Sequence, residues 1–367
     1  MSFYSEYIKY KNFDLLPMME SINKNDVQRA IQKNRPSIKD FVTFISPSAQ
    51  HLLEPMAQKA QDIKKRYFGN TIQLFTPMYL SNYCINHCLY CGFNHNVKMT
   101  RYQMNEKEIE QEASTISKTG LKHILILTGD APSIASIDYL ENCCHLLKKF
   151  FSSISIEIYA LETNEYQRLI DAGVDGLTIY QETYHENLYK ELHPKGPKKN
   201  YRFRLDSPQR GAIAGMRNVN IGALLGLDFW QRDIFYTVLH AAWLESMYPE
   251  TEISISLPRL RPYDGCYIPK HPVSDKEMVQ MICAIRLFLP RCGITISTRE
   301  NEWFRNNILT LGVTKMSAGS STAVGGHTIK EHHHSQFEIS DKRSVEEMVH
   351  YLKQVNIQPL YKDWEQF

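Results

Sequence analysis

Three cysteines lie within eight residues of one another, at Cys84, Cys88 and Cys91. Thiolates are soft ligands, and in proteins they hold iron–sulfur clusters or zinc. A structural zinc site normally has four protein ligands, so His87 or His95 would have to complete it. On an iron–sulfur cluster, three thiolates would instead leave a fourth position open for chemistry. The spacing therefore indicates a metal centre of one of these two kinds.

The other five cysteines do not form a second set of ligands. Cys143 and Cys144 lie in a helical stretch, whereas Cys266, Cys283 and Cys292 are scattered along the chain. Because free cysteine is among the most buried residue types, we expect these five to be packed thiols.

The composition is that of an ordinary globular protein, with 43% hydrophobic and 22% charged residues, which excludes a disordered or collagen-like chain. The net charge of +2 gives no broad electrostatic surface for nucleic acid or an anionic membrane. No apolar run approaches the roughly 20 residues that span a bilayer, and the N-terminus is charged where a signal peptide is apolar. We therefore expect a soluble cytoplasmic protein.

Short apolar runs and helical patterns alternate from residue 71 onward. Nearly continuous hydrophobic runs are typical of parallel strands that are buried on both faces. Eight such strands with helical crossovers over about 250 residues match an α/β fold of the (β/α)8 or TIM-barrel type, and an open doubly wound sheet is the alternative. The predicted strands are Ile72–Ser81, His123–Gly129, Ser155–Leu161, Gly176–Gln181, Val219–Leu227, Glu252–Leu257, Gly293–Ser297 and Lys315–Ala318.

Two extensions flank the predicted barrel of residues 71–327. Residues 1–70 form a helical N-terminal extension in this prediction, and residues 328–367 form a C-terminal extension that packs on the barrel. Within the barrel and its tail, helix starts are marked at Asn105, Ser274 and Ser344, each followed by a glutamate three residues later, the spacing of a capping box.

The cysteine segment, YLSNYCINHCLYCGFNHN, resembles the radical S-adenosylmethionine (SAM) superfamily. The resemblance rests on the x3 and x2 spacings directly after a first barrel strand, with Tyr90 before the last cysteine and Phe93 two residues after it. It implies that the three cysteines hold a [4Fe–4S] cluster and that SAM binds the fourth iron through its amino and carboxylate groups.

Four residues at two strand ends are assigned to SAM by this resemblance. Gly129 and Asp130 follow the second strand, where the family has a glycine-rich, acid-ended stretch that holds the SAM amino group. This chain has one glycine where the family usually has two. Gln181 and Glu182 end the fourth strand, and the resemblance implies that they contact the SAM ribose.

A basic stretch follows the fourth strand and contains Arg204. The resemblance matches Arg204 to an arginine that binds the SAM carboxylate, for which the planar guanidinium is well suited. Lys195, Lys198 and Lys199 are expected to be solvated side chains of a surface loop.

Two further strand ends carry arginines. Arg259 and Arg261 follow the sixth strand, and as charged groups at a buried edge they need partners. Arg299 follows the seventh strand, where it could bind a substrate carboxylate or form a salt bridge to Glu300 or Glu302.

Nearly the whole chain resembles the aromatic-amino-acid lyase branch of the superfamily. The segments that carry the resemblance are YLSNYC, IYQETYHE, GALLGL, LPRLRP, STRENEWFR, QFEISDKRS and PLYKDW. The implied reaction cleaves the Cα–Cβ bond of L-tyrosine to 2-iminoacetate (dehydroglycine) and p-cresol, while SAM is cleaved to methionine and 5′-deoxyadenosine. The imine would supply the thiazole of thiamine.

By the same resemblance, three residues bind and position tyrosine. Arg299 pairs with its carboxylate, Ser317 hydrogen-bonds the same head group, and Tyr79 lines the cavity between cluster and substrate. The implied partners are thiazole synthase and a flavodoxin- or ferredoxin-type electron donor. No role follows for the run His332–His334.

Two alternatives differ in function. A tyrosine lyase of [FeFe]-hydrogenase maturation shares the front end but carries a C-terminal extension with further cluster cysteines. Because no cysteine follows Cys292, we expect no second cluster. A non-catalytic iron–sulfur or zinc protein that uses the barrel for docking is disfavoured by the open iron that three cysteines imply.

Overall fold

The computed structural model describes residues 2–11, 13–263, 267–329 and 335–362. The helices, in chain order, are α1 Phe3–Tyr10, α2 Leu15–Glu20, α3 Lys24–Gln32, α4 Ile38–Phe44, α5 Leu53–Phe68, α6 Glu106–Ser117, α7 Ile137–Leu147, α8 Thr163–Asp171, α9 Glu186–Leu192, α10 Tyr201–Leu205, α11 Ser207–Ile213, α12 Trp230–Met247, α13 Asp275–Phe288, α14 Glu302–Asn307 and α15 Val345–Gln354. The strands are β1 Thr71–Ser81, β2 His123–Thr128, β3 Ser153–Glu157, β4 Gly176–Glu182, β5 Asn218–Ala223, β6 Glu252–Ser256, β7 Gly293–Ile296, β8 Lys315–Ser317 and β9 Gln358–Leu360.

Eight parallel strands close into a barrel. Each strand from β1 to β8 pairs with the next, and β8 returns to β1, where residues 315–317 lie beside residues 73–75. The predicted (β/α)8 barrel is therefore confirmed, and an open doubly wound sheet is excluded. The barrel brings the carboxyl ends of all eight strands to one mouth, where the functional residues of such folds are found.

All eight predicted strands are present, although several end earlier than the apolar runs do. The ninth strand, β9, was not predicted because it has only three residues and contains Pro359, a residue confined to edge positions in sheets. Residues 358–360 pair with the first three residues of β1. The last described part of the chain is thereby joined to the first barrel strand.

Local sequence signals account for several helix boundaries. Asn105, Ser274 and Ser344 each form a capping box with the glutamate three residues later, as predicted. Gly173 adopts a φ of 110° directly after α8, a conformation that a Cβ would strain. These contacts satisfy backbone groups that a helix end leaves without partners.

Both flanking segments pack on the barrel. Phe3 of α1 stacks on His240 of α12 with ring centroids 3.9 Å apart, and Gln280 of α13 donates from Nε2 to the carbonyl oxygens of residues 44 and 46. After β8, Asp341 forms a buried ion pair with Arg305 of α14. The fold thus has helical N-terminal and C-terminal extensions, whereas the segment boundaries 1–70, 71–327 and 328–367 stay predictions.

Among the described helices, none combines the length and the apolar character that crossing a bilayer requires. Cys143, Cys144, Cys283 and Cys292 are buried thiols, as predicted. Cys266 and His332–His334 lie outside the described residues.

Candidate active site

The three clustered cysteines lie on one loop, residues 82–99, directly after β1; we call it the cysteine loop. Its backbone is fixed from two directions. The amide of Ile85 donates to the carbonyl of Asp130 at 2.9 Å, and the amide of His87 donates to the carbonyl of Lys195 at 3.0 Å. The loop is therefore anchored to the end of β2 and to the segment that follows α9.

Two of the three thiols, those of Cys84 and Cys88, are difficult to ionise without a metal. Burial raises the pKa of Cys84 and of Cys88, and the closeness of Cys91 raises both pKa values further. Binding of the thiolates to iron removes this cost, because a metal ligand must be deprotonated and its charge is then compensated. The donor set therefore fits an iron–sulfur cluster.

A single zinc ion and an iron–sulfur cluster place different demands on the three thiols. In the part of the chain that the structure describes, no three His, Cys, Asp or Glu side chains converge on a point that could hold one ion. A structural zinc site requires such convergence, whereas an iron–sulfur cube binds each thiolate through a different iron.

Asn86, within the cysteine loop, joins the two regions assigned to SAM. Its Nδ2 donates to Oδ2 of Asp130 at 2.6 Å, and its Oδ1 accepts from the amide of Lys198 at 2.9 Å. Gly129 allows the same close packing, because a Cβ at that position would lie 2.2 Å from the carbonyl oxygen of Tyr83. The end of β2 and the cysteine loop can approach this closely only with glycine there.

Two buried acceptor atoms at the ends of β2 and β4 have no hydrogen-bond partner among the described residues. They are Oδ1 of Asp130 and Oε1 of Gln181. Buried polar atoms are normally hydrogen-bonded, so each indicates a missing donor. An ammonium and a ribose hydroxyl are donors of the required kind, and both belong to SAM.

Glu182 forms the charged centre of the region that the resemblance assigns to SAM. Its Oε1 lies 2.5 Å from Nζ of Lys198 and 3.5 Å from Nη2 of Arg204. Burial alone would raise the pKa of Glu182, but the two cations hold it below its usual value. Arg204 is fixed further by donating from Nε to the carbonyl oxygen of Tyr180 at 2.6 Å.

The expectation that Lys198 is solvated was wrong. Its side chain is only 15% exposed, because the loop folds back over the end of β4 and brings the ammonium to Glu182. Lys195 and Lys199 are exposed, as predicted.

Tyr79, Arg299 and Ser317 all line one cavity inside the barrel; the empty space in and around it, open solvent at the mouth included, is about 810 Å³. Alternate residues of each strand face this space, as strand geometry requires. Tyr79 donates from its hydroxyl to Oε1 of Gln336 at 2.7 Å. Ser317 accepts from the amide of Thr298 at 3.0 Å. The structure thus brings together the three residues that the resemblance assigned to substrate.

Arg299 presents its guanidinium to this cavity. The guanidinium carbon lies 3.4 Å from the ring centroid of Phe337, and Nη1 donates to the carbonyl oxygen of Arg259 at 3.4 Å. Among the described residues, no carboxylate lies within ion-pair distance of Arg299. Glu300 and Glu302, the alternative partners considered from sequence, contact Arg259 and Arg343 instead.

Arg259 and Arg261 have structural partners. Nε of Arg259 contacts both carboxylate oxygens of Glu300 at 2.9 and 3.0 Å, and its Nη2 lies 2.7 Å from Asp275. The contacts of Arg259 tie the end of β6 to neighbouring segments. Arg261 has the Ser340 hydroxyl as its partner, while its Nε is buried without a hydrogen-bond partner among the described residues.

Five residues of the site were missed from the sequence. Asn86, Lys198, Gln336 and Phe337 gave no periodic signal, because their contacts are made by loops. Glu157 could have been found, since Ser153, Ser155 and Glu157 alternate along β3 and a carboxylate in that pattern must face the barrel interior. It lines the cavity, and burial raises its pKa to about 7.

Comparison with known proteins bears directly on this arrangement. Residues 78–235 match the model of the Radical SAM superfamily, and residues 256–358 match that of the Biotin and Thiamin Synthesis associated domain. The 2-iminoacetate synthase of Salmonella typhimurium is 37% identical over 93% of this chain and 90% of its own length. That of Escherichia coli is 37% identical over 93% of this chain and 91% of its own length. The crystal structure of HydG, a maturase of the [FeFe]-hydrogenase, matches with a TM-score of 0.90 at 30% identity and covers 95% of this chain and 79% of that one.

Proposed function

Because this chain belongs to the 2-iminoacetate synthase family of radical SAM enzymes, we propose that its barrel mouth holds SAM at the cysteine loop and L-tyrosine in the cavity beneath. The protein is a radical SAM carbon–carbon lyase. It cleaves the Cα–Cβ bond of L-tyrosine to 2-iminoacetate and p-cresol, with conversion of SAM to methionine and 5′-deoxyadenosine, and 2-iminoacetate supplies the thiazole of thiamine. A bound [4Fe–4S] cluster and SAM supply the 5′-deoxyadenosyl radical, and the protein binds, orients and shields the reactants.

We assign Cys84, Cys88 and Cys91 to three irons of the cluster. The support is their position on one anchored loop, the absence of a disulfide to any of the three, and the cost of a negative charge on Cys84 and Cys88 without metal. Thiolates are the usual ligands of such clusters. Three of them leave one iron available to SAM.

The SAM assignments follow from the chemistry of the free atoms. Asp130 would accept from the ammonium through Oδ1, and Gln181 would accept from the ribose through Oε1, since both atoms are buried without donors among the described residues. Both cations contact Oε1 of Glu182, so we assign its Oε2 to the ribose as well. Arg204 would bind the SAM carboxylate, and Gly129 keeps the cysteine loop close enough for these contacts.

One observation carries the substrate assignment: the guanidinium of Arg299 lines the barrel cavity and, within the described residues, has no carboxylate partner. A charge in such a position is costly unless a ligand compensates it. The carboxylate of tyrosine has the right charge, and Ser317 offers a hydroxyl to the same head group. Tyr79 lines the space between this head group and the cysteine loop. Enclosure within the barrel keeps water from the imine.

The direct experiment is product analysis after anaerobic incubation of reconstituted enzyme with SAM, dithionite and tyrosine. We expect p-cresol and 5′-deoxyadenosine together with glyoxylate, the hydrolysis product of 2-iminoacetate. Cleavage of SAM without p-cresol, at full cluster content and saturating tyrosine, would contradict the assignment of tyrosine to the cavity.

We further propose thiazole synthase as the protein partner, because a hydrolysable imine gains from direct transfer to the next enzyme. A flavodoxin- or ferredoxin-type protein would supply the electron, and the cytoplasm is the proposed compartment. The described cysteines form no disulfide, which is the usual situation for proteins of a reducing compartment. The proposed organisation is a helical extension at 1–70, the barrel at 71–327 and a C-terminal extension at 328–367.

A further inference from the structure

Gln336 lies between a cluster ligand and the substrate cavity. Its Nε2 donates to Sγ of Cys91 at 3.8 Å, and its Oε1 accepts from the hydroxyl of Tyr79 at 2.7 Å. Tyr79 is the residue assigned above to the space between cluster and tyrosine. One side-chain amide therefore contacts both halves of the active site.

The chemistry of the two neighbours fixes the orientation of this amide. A thiolate accepts hydrogen bonds and repels a carbonyl oxygen, so only the NH2 end can face Cys91. The carbonyl end then faces Tyr79, whose hydroxyl must donate to it. Tyr79 thus holds the amide in the orientation that directs N–H at the sulfur.

The backbone around Gln336 is seated firmly on the cysteine loop. A Cβ at Gly92, the residue after Cys91, would lie 2.3 Å from the carbonyl oxygen of Gln336. The amide of Gln336 donates to the carbonyl of Thr322 at 3.1 Å. The next residue, Phe337, carries the ring that packs on the guanidinium of Arg299. Adjacent residues therefore contact a cluster ligand and the proposed substrate arginine.

Hydrogen bonds to the sulfurs of an iron–sulfur cluster set its reduction potential. Reduction adds negative charge, and an N–H donor stabilises that charge more than it stabilises the oxidised cluster. We propose that Gln336 is a positioning residue that raises the reduction potential of the cluster, and that Tyr79 makes this effect stronger when tyrosine fills the cavity. The second part rests on the proposed placement of tyrosine beside Tyr79. Tyrosine would displace water there, and hydrogen bonds strengthen as the local dielectric falls.

The test is a redox titration of the reconstituted cluster, followed by electron paramagnetic resonance, with and without tyrosine. In Gln336→Leu we expect the equilibrium constant for one-electron reduction to fall by roughly tenfold, about 59 mV to more negative potential. Gln336→Glu keeps the size of the side chain but places a carboxylate by the thiolate, so its potential should fall at least as far. Ser335→Ala changes the exposed preceding residue and should keep the wild-type potential. Iron and sulfide content are measured in every sample.

Wild-type potential in both Gln336 variants would overturn the proposal. So would an equal shift in Ser335→Ala, since the effect would then belong to the segment and not to the amide. If neither Gln336 variant retains a cluster under conditions that load the wild type, Gln336 acts in cluster retention and the redox role is wrong.

The effect of tyrosine on the reduction potential is measured separately, by comparing the wild type with Tyr79→Phe. We expect tyrosine to raise the potential of the wild type and to leave that of Tyr79→Phe unchanged. Equal tyrosine-dependent shifts in the two proteins would overturn the role of Tyr79. Failure of the wild type to form p-cresol would instead contradict the proposed substrate placement, while the titrations without tyrosine would still decide the role of Gln336.

Discussion

The two sides of the barrel mouth differ in whether their buried charged side chains have ion-pair partners. On the side proposed to bind SAM, Glu182 contacts Lys198 and Arg204, and Asp130 accepts a hydrogen bond from Asn86. On the opposite side, Arg299 faces the cavity with no carboxylate partner among the described residues. The proposed SAM side is therefore largely preorganised, whereas Arg299 on the other side has no direct ion pair among the described residues and only the more distant carboxyl groups of Glu157 and Glu182 acting on it.

A second arginine makes the contrast sharper. Arg259 is on the same side of the mouth as Arg299, yet it contacts the carboxylates of Glu300 and Asp275. A compensated cation holds segments together, and an uncompensated one is available to bind. Partners in three dimensions, rather than residue type or position at a strand end, thus distinguish Arg259 from Arg299, the arginine proposed to bind substrate.

The largest expected effect comes from removing the proposed cysteine ligands of the cluster, without which SAM cannot be cleaved. Cys84→Ala, Cys88→Ala and Cys91→Ala should each abolish the cluster absorption near ~400 nm and SAM cleavage, because two thiolates cannot replace three around the cube. The measurements are iron and sulfide content, the visible spectrum and 5′-deoxyadenosine formation. Cys143→Ala, which removes a buried thiol of α7, should retain the cluster. Wild-type iron content in all three loop variants would contradict the assignment.

Removing the charge of Arg299 should uncouple the cleavage of SAM from the cleavage of tyrosine. In Arg299→Ala, SAM cleavage should persist while tyrosine loses its anchor, and a misplacement of about 1 Å can cost on the order of a hundredfold in rate. We expect the ratio of p-cresol to 5′-deoxyadenosine to fall to that extent, measured by chromatography with tyrosine in excess.

Arg259→Ala is the matched comparison. It should lower the melting temperature, because Glu300 is left buried without its cation, but the folded enzyme should keep the wild-type ratio of products. A preserved ratio in Arg299→Ala together with a reduced ratio in Arg259→Ala would reverse the roles given to the two arginines.

On the side proposed to bind SAM, substitutions of Arg204 should weaken SAM binding to different extents. Arg204→Ala should weaken SAM binding by about 1.5–3 kcal/mol through loss of a charge-assisted contact. Arg204→Lys should recover only part, since an ammonium cannot contact the Tyr180 carbonyl, Glu182 and a carboxylate in the fixed directions of a guanidinium. Equilibrium binding of SAM to the reconstituted enzyme measures both. An unchanged dissociation constant in Arg204→Ala would remove this residue from the SAM site.

The smallest effect concerns Glu157, the carboxyl group on the cavity wall. Its pKa is raised to about 7 by burial, so the folded state binds a proton that the unfolded state releases near pH 4.5. The free energy of unfolding should therefore fall as the pH rises from about 4.5 to about 7. Glu157→Gln should be more stable than the wild type by about 1–2 kcal/mol at pH 8 and equal to it at pH 4.5. Denaturation of the apoprotein at both pH values checks this, and an equal difference at the two would exclude the titration of Glu157 as its cause.

Sequence predicted those features that depend on local pattern. The apolar runs predicted the barrel, the cysteine spacing indicated a metal-binding loop, and the resemblance to the superfamily pointed to Asp130 and Arg299 at strand ends. Contacts between distant loops left no such pattern. Sequence predicts a solvated Lys198, because no residue near it in the chain indicates that its ammonium will contact Glu182. Gln336 is separated from Tyr79 by most of the barrel, so only the closed fold brings them together.

The first barrel strand, β1, pairs with two strands, β8 and β9, that are synthesised long after it. Residues 73–75 of β1 pair with residues 315–317, and residues 71–73 pair with residues 358–360. Synthesis at about 5–20 residues per second places roughly 12 to 50 seconds between the emergence of β1 and that of β8. During this interval the thiols that follow β1 have no barrel to shelter them, so iron loading should follow synthesis. We expect oxygen damage to these thiols to be greatest while the chain is still being made.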